Sequence, residues 1–466
     1  MLLRQGYVCV MPQVKVFVFD TRRGKKEGEE LDKLLAFYPP SATAEQQQAS
    51  AGLAEALTGL TGLFSPEAPL QSLAAALHRQ AFFLCEPDLW FSLVVDPELA
   101  PVAEVRDSTL RALLVDTYQL CVLLHGTLRP QLEAEPSAVA VRQRLEPLVA
   151  DLGARLAAGK LGDLFALSSP LSSRDGLPIL PLDRPTFLNA QFCVNSLTLS
   201  GGGSSVQHCM LLYDRYLVWS DLRTEDSHVL YRYFLRCFAP VSAGSTPRRG
   251  AAKEKASAET PSCGAPFQAC DWRTAVDGFW EREPTTAEGR DGGDQGLRVH
   301  IAGVPHVLLA LSRDLVTVLM LLRDDTVPDA ALRSQLAGIA DLRMARLMKQ
   351  LATGVGSLNR WHVPGYRYLY VDHTTRGVRA SPEAKLTTVA PESMSALSQL
   401  RARLEERRPG DVEEHEVCVR TQHDAWVVMR ASRGRQLFVV LERAGDTLLE
   451  ATEATDRFCE SGALLD

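Results

Sequence analysis

"HCMLLYDRYLVWSDLRTEDSHVLYRYFLRCF" spans residues 208–238 and holds the densest organised hydrophobicity in the chain. Cys209–Tyr213 and Tyr216–Ser220 read as two β-rich runs separated by Asp214-Arg215, the length of a tight hairpin loop. Met210 and Leu212 fall on one face of the first run, and Leu211 and Tyr213 on the other. Such a strand needs cover on both sides, which helices provide. After the second run, Asp221 or Thr224 is expected to cap a helix whose first turn carries Glu225 and Asp226. Val229, Leu230, Tyr233, Phe234, Cys237 and Phe238 recur at steps of one and three and form a single buried stripe. The unit is therefore strand, turn, strand, helix. His208 and His228 flank it rather than facing each other across a pocket.

The same unit recurs on either side. Near the N-terminus, "VKVFVFD" (Val14–Asp20) precedes a charged loop, "KLLAFYPP" and an Ala/Gln-rich helix from about Thr43 to Phe64. Near the C-terminus, "YRYLYVDH" (Tyr366–His373) and "GVRAS" precede a helix from about Pro391 to Arg408. More strands follow each helix. They are "QAFFLCE" and "LWFSLVVD" in the first copy, then helices from about Val105 to Leu128 and Ala138 to Ala157. In the second they are "LRVHIAG", "HVLLALS" and "LVTVLMLL", then a helix from about Asp329 to Leu351. The third has "HEVCVRT", "AWVVMRAS" and "QLFVVLE", then a helix from about Asp446 to Cys459. A repeat this long means three domains of one fold, since solenoid repeats run about 20–50 residues. The expected domains are 1–165, 186–352 and 364–466, an α/β architecture. The joints are "SSPLSSRDGLPILPLDRP" (168–185) and "TGVGSLNRWHVPG" (353–365). A Gly/Ala/Glu-rich insertion at 240–296 is expected to be disordered over much of its length.

Composition narrows the function classes. The 466 residues are 46% apolar and 23% charged, as in ordinary globular chains, and the formal charge of −7 argues against general nucleic-acid binding. Ten cysteines without a C-x-x-C fit reduced, buried thiols in a cytosolic protein. Cys263 and Cys270 lack further ligands nearby, so no metal is expected. No run reaches the roughly 18 apolar residues of a membrane span. "VPHVLLALSRDLVTVLMLL" is broken at Arg313-Asp314, as two strands and a turn would be. The start, "MLLRQGYVCVMPQ", has no signal-peptide core and cleavage site.

Candidate chemistry is thin. No G-x-S-x-G elbow exists, and "SGGGSSVQH" lacks the Gly-Lys-Ser/Thr of a phosphate loop. "HDAW" (His423–Trp426) and "VDHT" (Val371–Thr374) put acid beside histidine, but at strand ends; a hydrolase would need His423 or His373. The acids of "EGEELDK" read as a solvated hairpin tip. "PRRGAAKEK" (247–255), Arg343 with Arg346 and Lys349, and "RARLEERR" (401–408) are basic clusters able to meet acidic lipids, with a solvated surface as the simpler reading. No constellation for an active site is present, so no catalytic residue and no cofactor are expected.

Five stretches in order resemble the Ccz-one vacuolar fusion protein family. They are "EGEELDKLLAFYPP", "GLAEALTGLTGLFSPEAP", "HRQAFFLCEPDLWFSLVV", "LLYDRYLVWSDL…LYRYF" and "DAWVVMRASRGRQLFVVLE", and together they span nearly the whole chain. The resemblance implies three longin (roadblock-like) domains, each an antiparallel five-stranded sheet flanked by helices. It also implies an obligate heterodimer with a second longin subunit of the Mon-one type. That heterodimer would be a guanine nucleotide exchange factor for a late-endosomal Rab GTPase of the Rab seven class. Peripheral contact with acidic or phosphoinositide membranes of the late endosome, lysosome or vacuole follows from the same likeness. In the family the two first longin domains pair and present the GTPase-binding surface. The matching positions here are Gly52, Leu53, Glu55, Ala56 and Phe64, with the loop Glu27–Glu30 beside them. This helix is richer in Ala and Gly than the family's, with Gly59 and Gly62 where bulkier residues are usual, and the chain starts without the longer leader of many relatives. The competing reading is a tethering or scaffold subunit of a related lysosome-related-organelle complex, without exchange activity of its own.

Overall fold

A computed structural model describes residues 14–75, 78–95, 106–157, 169–171, 176–180, 182–200, 205–238, 272–274, 278–282, 297–358, 365–381, 386, 388–405, 415–442 and 447–462. The chain divides into two compact units, Met1–Pro181 with Gln350–Asp466, and Leu182–Lys349.

The first sheet is built from β1 (Val14–Asp20), β2 (Leu34–Tyr38), β3 (Ser72–Ala74), β4 (Arg79–Glu86) and β5 (Leu89–Val95), in the order β2-β1-β5-β4-β3. All of its ladders are antiparallel. Alternation sends Phe17, Phe19, Phe82 and Trp90 to one face, where Ala51 and Ala54 of α1 (Ala44–Phe64) cover them. Helix α1 starts with a capping box: Thr43 Oγ1 accepts from Gln46 N (3.3 Å) and Gln46 Oε1 accepts from Thr43 N (3.1 Å). The opposite face meets α2 (Asp107–His125) and α4 (Val139–Ala157), with Phe83 and Phe91 edge-on to Tyr118 at 5.8 and 5.9 Å. Gly126, at φ 78°, ends α2 and lets the short α3 (Leu128–Ala134) begin, where one helix to Leu128 was expected.

One polar knot ties these layers. Thr127 offers α3 no side-chain cap; instead Glu86 accepts from Leu128 N (2.8 Å) and Arg129 N (2.6 Å), and from the Tyr118 hydroxyl (2.8 Å). Arg129 also reaches Asp20 Oδ2 at 2.9 Å and the Pro87 carbonyl; Asp20 is 2% exposed. The ends of β1 and β4 are thereby fastened to α2 and α3.

The joint after the first domain is partly structured. Leu177–Pro178 form β6, which pairs in parallel with a strand of the third sheet. Next comes α5 (Arg184–Ser200), a helix at the start of the expected second domain that the sequence reading does not assign. The second sheet holds β7 (Val206–Tyr213), β8 (Tyr216–Ser220), β11 (Leu297–Ile301), β12 (Val304–Arg313) and β13 (Val316–Arg323), ordered β11-β12-β13-β7-β8. Asp214 and Asp314 sit at φ 50° in their two-residue turns, a left-handed geometry that aspartate tolerates. Helix α6 (Thr224–Cys237) follows β8, but the expected cap is wrong. Thr224 is already helical, and the Asp221 carboxylate instead accepts from Cys209 N (3.0 Å) near His208 Nδ1 (3.3 Å). The buried stripe of α6 is also wider than its apolar pattern, taking in Ser227, His228 and Tyr231, whose hydroxyl donates to Arg215 O at 2.8 Å.

Part of the insertion at 240–296 is described. Within it, β9 (Trp272–Thr274) pairs with β10 (Trp280–Arg282), and the buried Phe279 bridges to Leu311 of β12. Trp280 Nε1 donates to Ser312 Oγ at 2.6 Å and its ring meets Phe238 edge-on at 5.2 Å. The aromatics give these few residues a fold that composition hid. The rest of the insertion lies outside the described residues. Helix α7 (Ala330–Leu358) then runs into the expected 353–365 joint.

The third sheet has β14 (Tyr366–Asp372), β15 (Gly377–Ala380), β16 (His415–Arg420), β17 (Trp426–Ser432) and β18 (Arg435–Leu441), ordered β16-β17-β18-β14-β15 with β6 added at the edge. Leu397, Leu400 and Leu404 of α8 (Pro391–Glu405) cover one face. Ala451, Ala454 and Phe458 of α9 (Leu448–Gly462) cover the other. Each sheet repeats one topology, with the first hairpin joined through its leading strand to the last strand of the following meander.

Two substitutions test this frame. Gly153 of α4 faces the Tyr38 ring so closely that a Cβ would overlap it. Gly153→Ala should cost about 1–3 kcal/mol, read as earlier cleavage within residues 14–157 during pulse proteolysis of the full chain in urea. Arg129→Met strands a buried carboxylate and should cost about 3–5 kcal/mol by the same assay, whereas adding Asp20→Asn should recover much of the loss.

Candidate interaction surface

Among the described residues nothing assembles into an activated nucleophile or a metal cage. Burial pushes the Cys193 and Cys418 thiols up to about 11 and the Cys121 thiol up to about 12, so they stay protonated and unreactive at neutral pH. No group of three or more His, Cys, Asp or Glu could hold a metal among these residues. Cys263 and Cys270 lie outside the described residues. His423 Nε2 sits 3.1 Å from Glu392 Oε1, but both side chains are exposed. His373 contributes a backbone N–H to Gly434 O (2.9 Å). An open hollow of about 450 Å³ is bounded by Arg22, Arg23 and Arg129 against Asp20, Asp32 and Glu133, charges that largely cancel. Of the basic clusters, Arg343 stacks on Phe192 at 4.4 Å and Arg401 donates to Pro170 O at 3.0 Å. No helix of the described residues is long and apolar enough to cross a membrane.

Helix α1 offers more. Its inward side is small: Ala51, Ala54 and Thr58 are buried, which brings the helix close to the sheet. Its outward side is apolar, with Leu53 52%, Leu60 55%, Leu63 81% and Phe64 82% exposed. Leu53, Leu60 and Phe64 are seven and eleven residues apart, about two and three helical turns, so they fall on one line. Exposed Ala49, Gly52, Ala56, Gly59 and Leu63 extend that line into a continuous stripe. A Cβ at Gly52 or Gly59 would meet nothing within 4 Å, so these glycines leave a shallow open floor rather than serving the fold.

Glu55 is placed differently from the other expected residues. It leaves the stripe and turns to the charged loop, taking Lys25 Nζ at 2.9 Å and Lys33 Nζ at 2.5 Å. Burial works against its ionisation, but the bonds from Lys33 and Lys25 outweigh that and hold its carboxyl below the usual carboxylate range. The loop thus docks on α1 through its lysines, not through Glu27–Glu30; Glu30 instead accepts from Gly28 N at 3.0 Å. The structure brings Gly52, Leu53, Ala56 and Phe64 onto one stripe and assigns Glu55 to positioning the loop beside it. Leu60 and Leu63 belong to the stripe and were not singled out from sequence, although their spacing from Leu53 carried the signal.

Comparison with known proteins bears on what this surface serves. A family model described as the first longin domain of INTU, CCZ1 and HPS4 matches residues 14–126. A second, the Intu longin-like domain 3, matches residues 364–457. Vacuolar fusion protein CCZ1 homolog B of Arabidopsis thaliana is 32% identical, covering 96% of this chain and 95% of its own. The rice homolog (Oryza sativa subsp. japonica) is 30% identical over 96% of this chain and 97% of its own, and that of Nematostella vectensis 25% over 94% of each. At that identity over nearly the full length of both chains, with longin domains at either end, the chain belongs to the CCZ1 family of vacuolar fusion proteins.

Proposed function

We propose that this chain acts in vacuolar fusion and vesicle trafficking as one subunit of a heterodimeric guanine nucleotide exchange factor for a late-endosomal Rab GTPase of the Rab seven class. Its partner is a second longin subunit of the Mon-one type, and the pair works peripherally on late-endosomal, lysosomal or vacuolar membranes. The observation that supports the reading is the bare apolar stripe on α1, the helix that the resemblance implies would meet the GTPase. Exposed apolar surface of this continuity marks interaction sites.

Exchange asks for shape rather than a nucleophile. A GTPase holds Mg²⁺ and phosphates through its switch and phosphate loops. A surface that binds best when those loops are displaced lowers nucleotide affinity by the same factor that nucleotide lowers its own. A rigid helix with a loop pinned beside it through Glu55, Lys25 and Lys33 suits that task.

Release of labelled GDP from the Rab is the direct test. The isolated chain should leave release at its intrinsic rate, and adding the longin partner should accelerate it. Acceleration by this chain alone would overturn the division of labour, and preference for the GTP-bound over the nucleotide-free Rab would favour a tether. Leu53→Asp and Leu60→Asp should each weaken Rab or partner binding by at least about 2 kcal/mol, roughly thirtyfold. Because both side chains are exposed, folding should change by no more than about 0.5 kcal/mol in thermal unfolding of the same variants.

A further inference from the structure

The second domain carries a bare apolar surface of its own. Helix α5 packs on β7, and its Ala190, Cys193, Val194 and Leu197 are all buried. Its far side holds Leu188, Phe192 and Leu199, each more than half exposed. Phe192 and Leu199 follow Leu188 by four and eleven residues, about one and three helical turns, so the three form one line. Helix α7 lies alongside, with the Arg343 guanidinium over the Phe192 ring at 4.4 Å. Arg346 follows one turn on and Lys349 one turn beyond; both are exposed, as is Leu342. Sequence alone shows the basic cluster of α7, and the structure sets the apolar line of α5 beside it.

The charge of this surface runs against that of the chain. The chain carries −7 overall, yet α5 holds no acidic residue, and the one acid of α7, Asp341, is tied to Arg313 Nε at 2.6 Å. The stripe on α1 is the opposite case: Ala44–Phe64 contains no Lys or Arg, and its floor is glycine. A glycine floor suits the backbone of a shaped partner. Bulky apolar side chains standing out from two helices, with cations beside them, suit a soft layer of headgroups over hydrocarbon. Long basic side chains keep their stems on apolar surface and their heads among phosphates. Arg343 already lies that way, across an aromatic ring.

We propose that the outer sides of α5 and α7 dock on an acidic bilayer: Leu188, Phe192 and Leu199 enter the headgroup layer, and Arg343, Arg346 and Lys349 meet lipid phosphates. The ligand is the anionic surface of a bilayer containing phosphatidylserine, not a single lipid held in a pocket. A few cations with a few apolar side chains give weak, reversible attachment, as a peripheral protein needs. This docking presupposes the peripheral membrane role proposed above, but places it on the second domain and needs nothing of the exchange surface on α1.

Flotation with vesicles tests it, using the full chain alone and with its longin partner. Both forms should float with vesicles of phosphatidylcholine and phosphatidylserine, and far less with phosphatidylcholine alone or at high salt. Arg346→Gln with Lys349→Gln should weaken binding to the acidic vesicles by about tenfold or more, and Leu188→Ser with Phe192→Ser by a similar factor. Thermal unfolding of both double variants should match the unaltered chain, since all four side chains are exposed. Leu53→Asp should leave flotation unchanged, and the double variants should leave GDP release in solution unchanged, which separates a failure here from a failure of the exchange reading. Equal binding to neutral and acidic vesicles would overturn the proposal, as would no flotation of either form. So would flotation lost through Leu53→Asp but kept in both double variants. Flotation of the chain alone that the longin partner abolishes would also overturn it, and would assign the face to that subunit.

Discussion

The fold depends on strands that are apolar on both faces. In β1, Val16 and Val18 point one way and Phe17 and Phe19 the other, and all four are fully buried. Such a strand cannot lie at a surface, so it takes the interior of a sheet with helices above and below. β7 and β14 repeat the condition, and in each case the following hairpin strand sits outside and the last meander strand pairs on the inside. Three helix-sheet-helix sandwiches of one topology are what that constraint produces when it is written three times in a chain.

Covering the sheet closely sets the character of α1. A helix that presents Ala51, Ala54 and Thr58 to large aromatics can sit near the strands, but it buries little of its own side-chain surface. Its leucines and Phe64 are left on the far side. The polar groups around it serve geometry. The Thr43–Gln46 box fixes where the helix starts, and Glu55 with Lys25 and Lys33 fixes the loop alongside. The apolar stripe is therefore presented on a scaffold held at several points.

Much of this was legible in the sequence wherever one residue's neighbours in the chain decide its structure. The two-residue turns at Asp214 and Asp314, the helix of Val229 to Phe238 and the start of α1 at Thr43 all follow from local spacing. What stayed hidden was decided elsewhere. α5 is rich in Thr, Asn, Ser, Cys and Val, weak helix formers, and is held by the burial of Ala190, Cys193, Val194 and Leu197. β6 is two residues long and gains its identity only from β15. Asp221 looked like a helix cap because nothing nearby revealed that Cys209 N would need its carboxylate. The candidate surface was half legible for a related reason. The family likeness selected α1 but not which of its faces is bare, so Glu55 was grouped with residues it does not accompany, and Leu60 and Leu63 were passed over.

Magnitudes bear on which partner the stripe suits. Burying a Leu or Phe fully is worth about 1.5–3 kcal/mol, and these four begin partly covered. Association costs roughly 4–15 kcal/mol before any affinity appears. Four side chains on one helix therefore offset the cost of binding without a large surplus. A permanent subunit contact needs much more area than one helix face supplies, about 2,000 Å² or more. Under the proposed exchange role, the stripe is matched instead to a partner that leaves once its nucleotide has exchanged, and a lasting contact with a second longin subunit would call for additional surface. On this reading the glycines at 52 and 59 are suited to the transient role, since they let a partner's backbone approach without adding the side-chain area that would hold it.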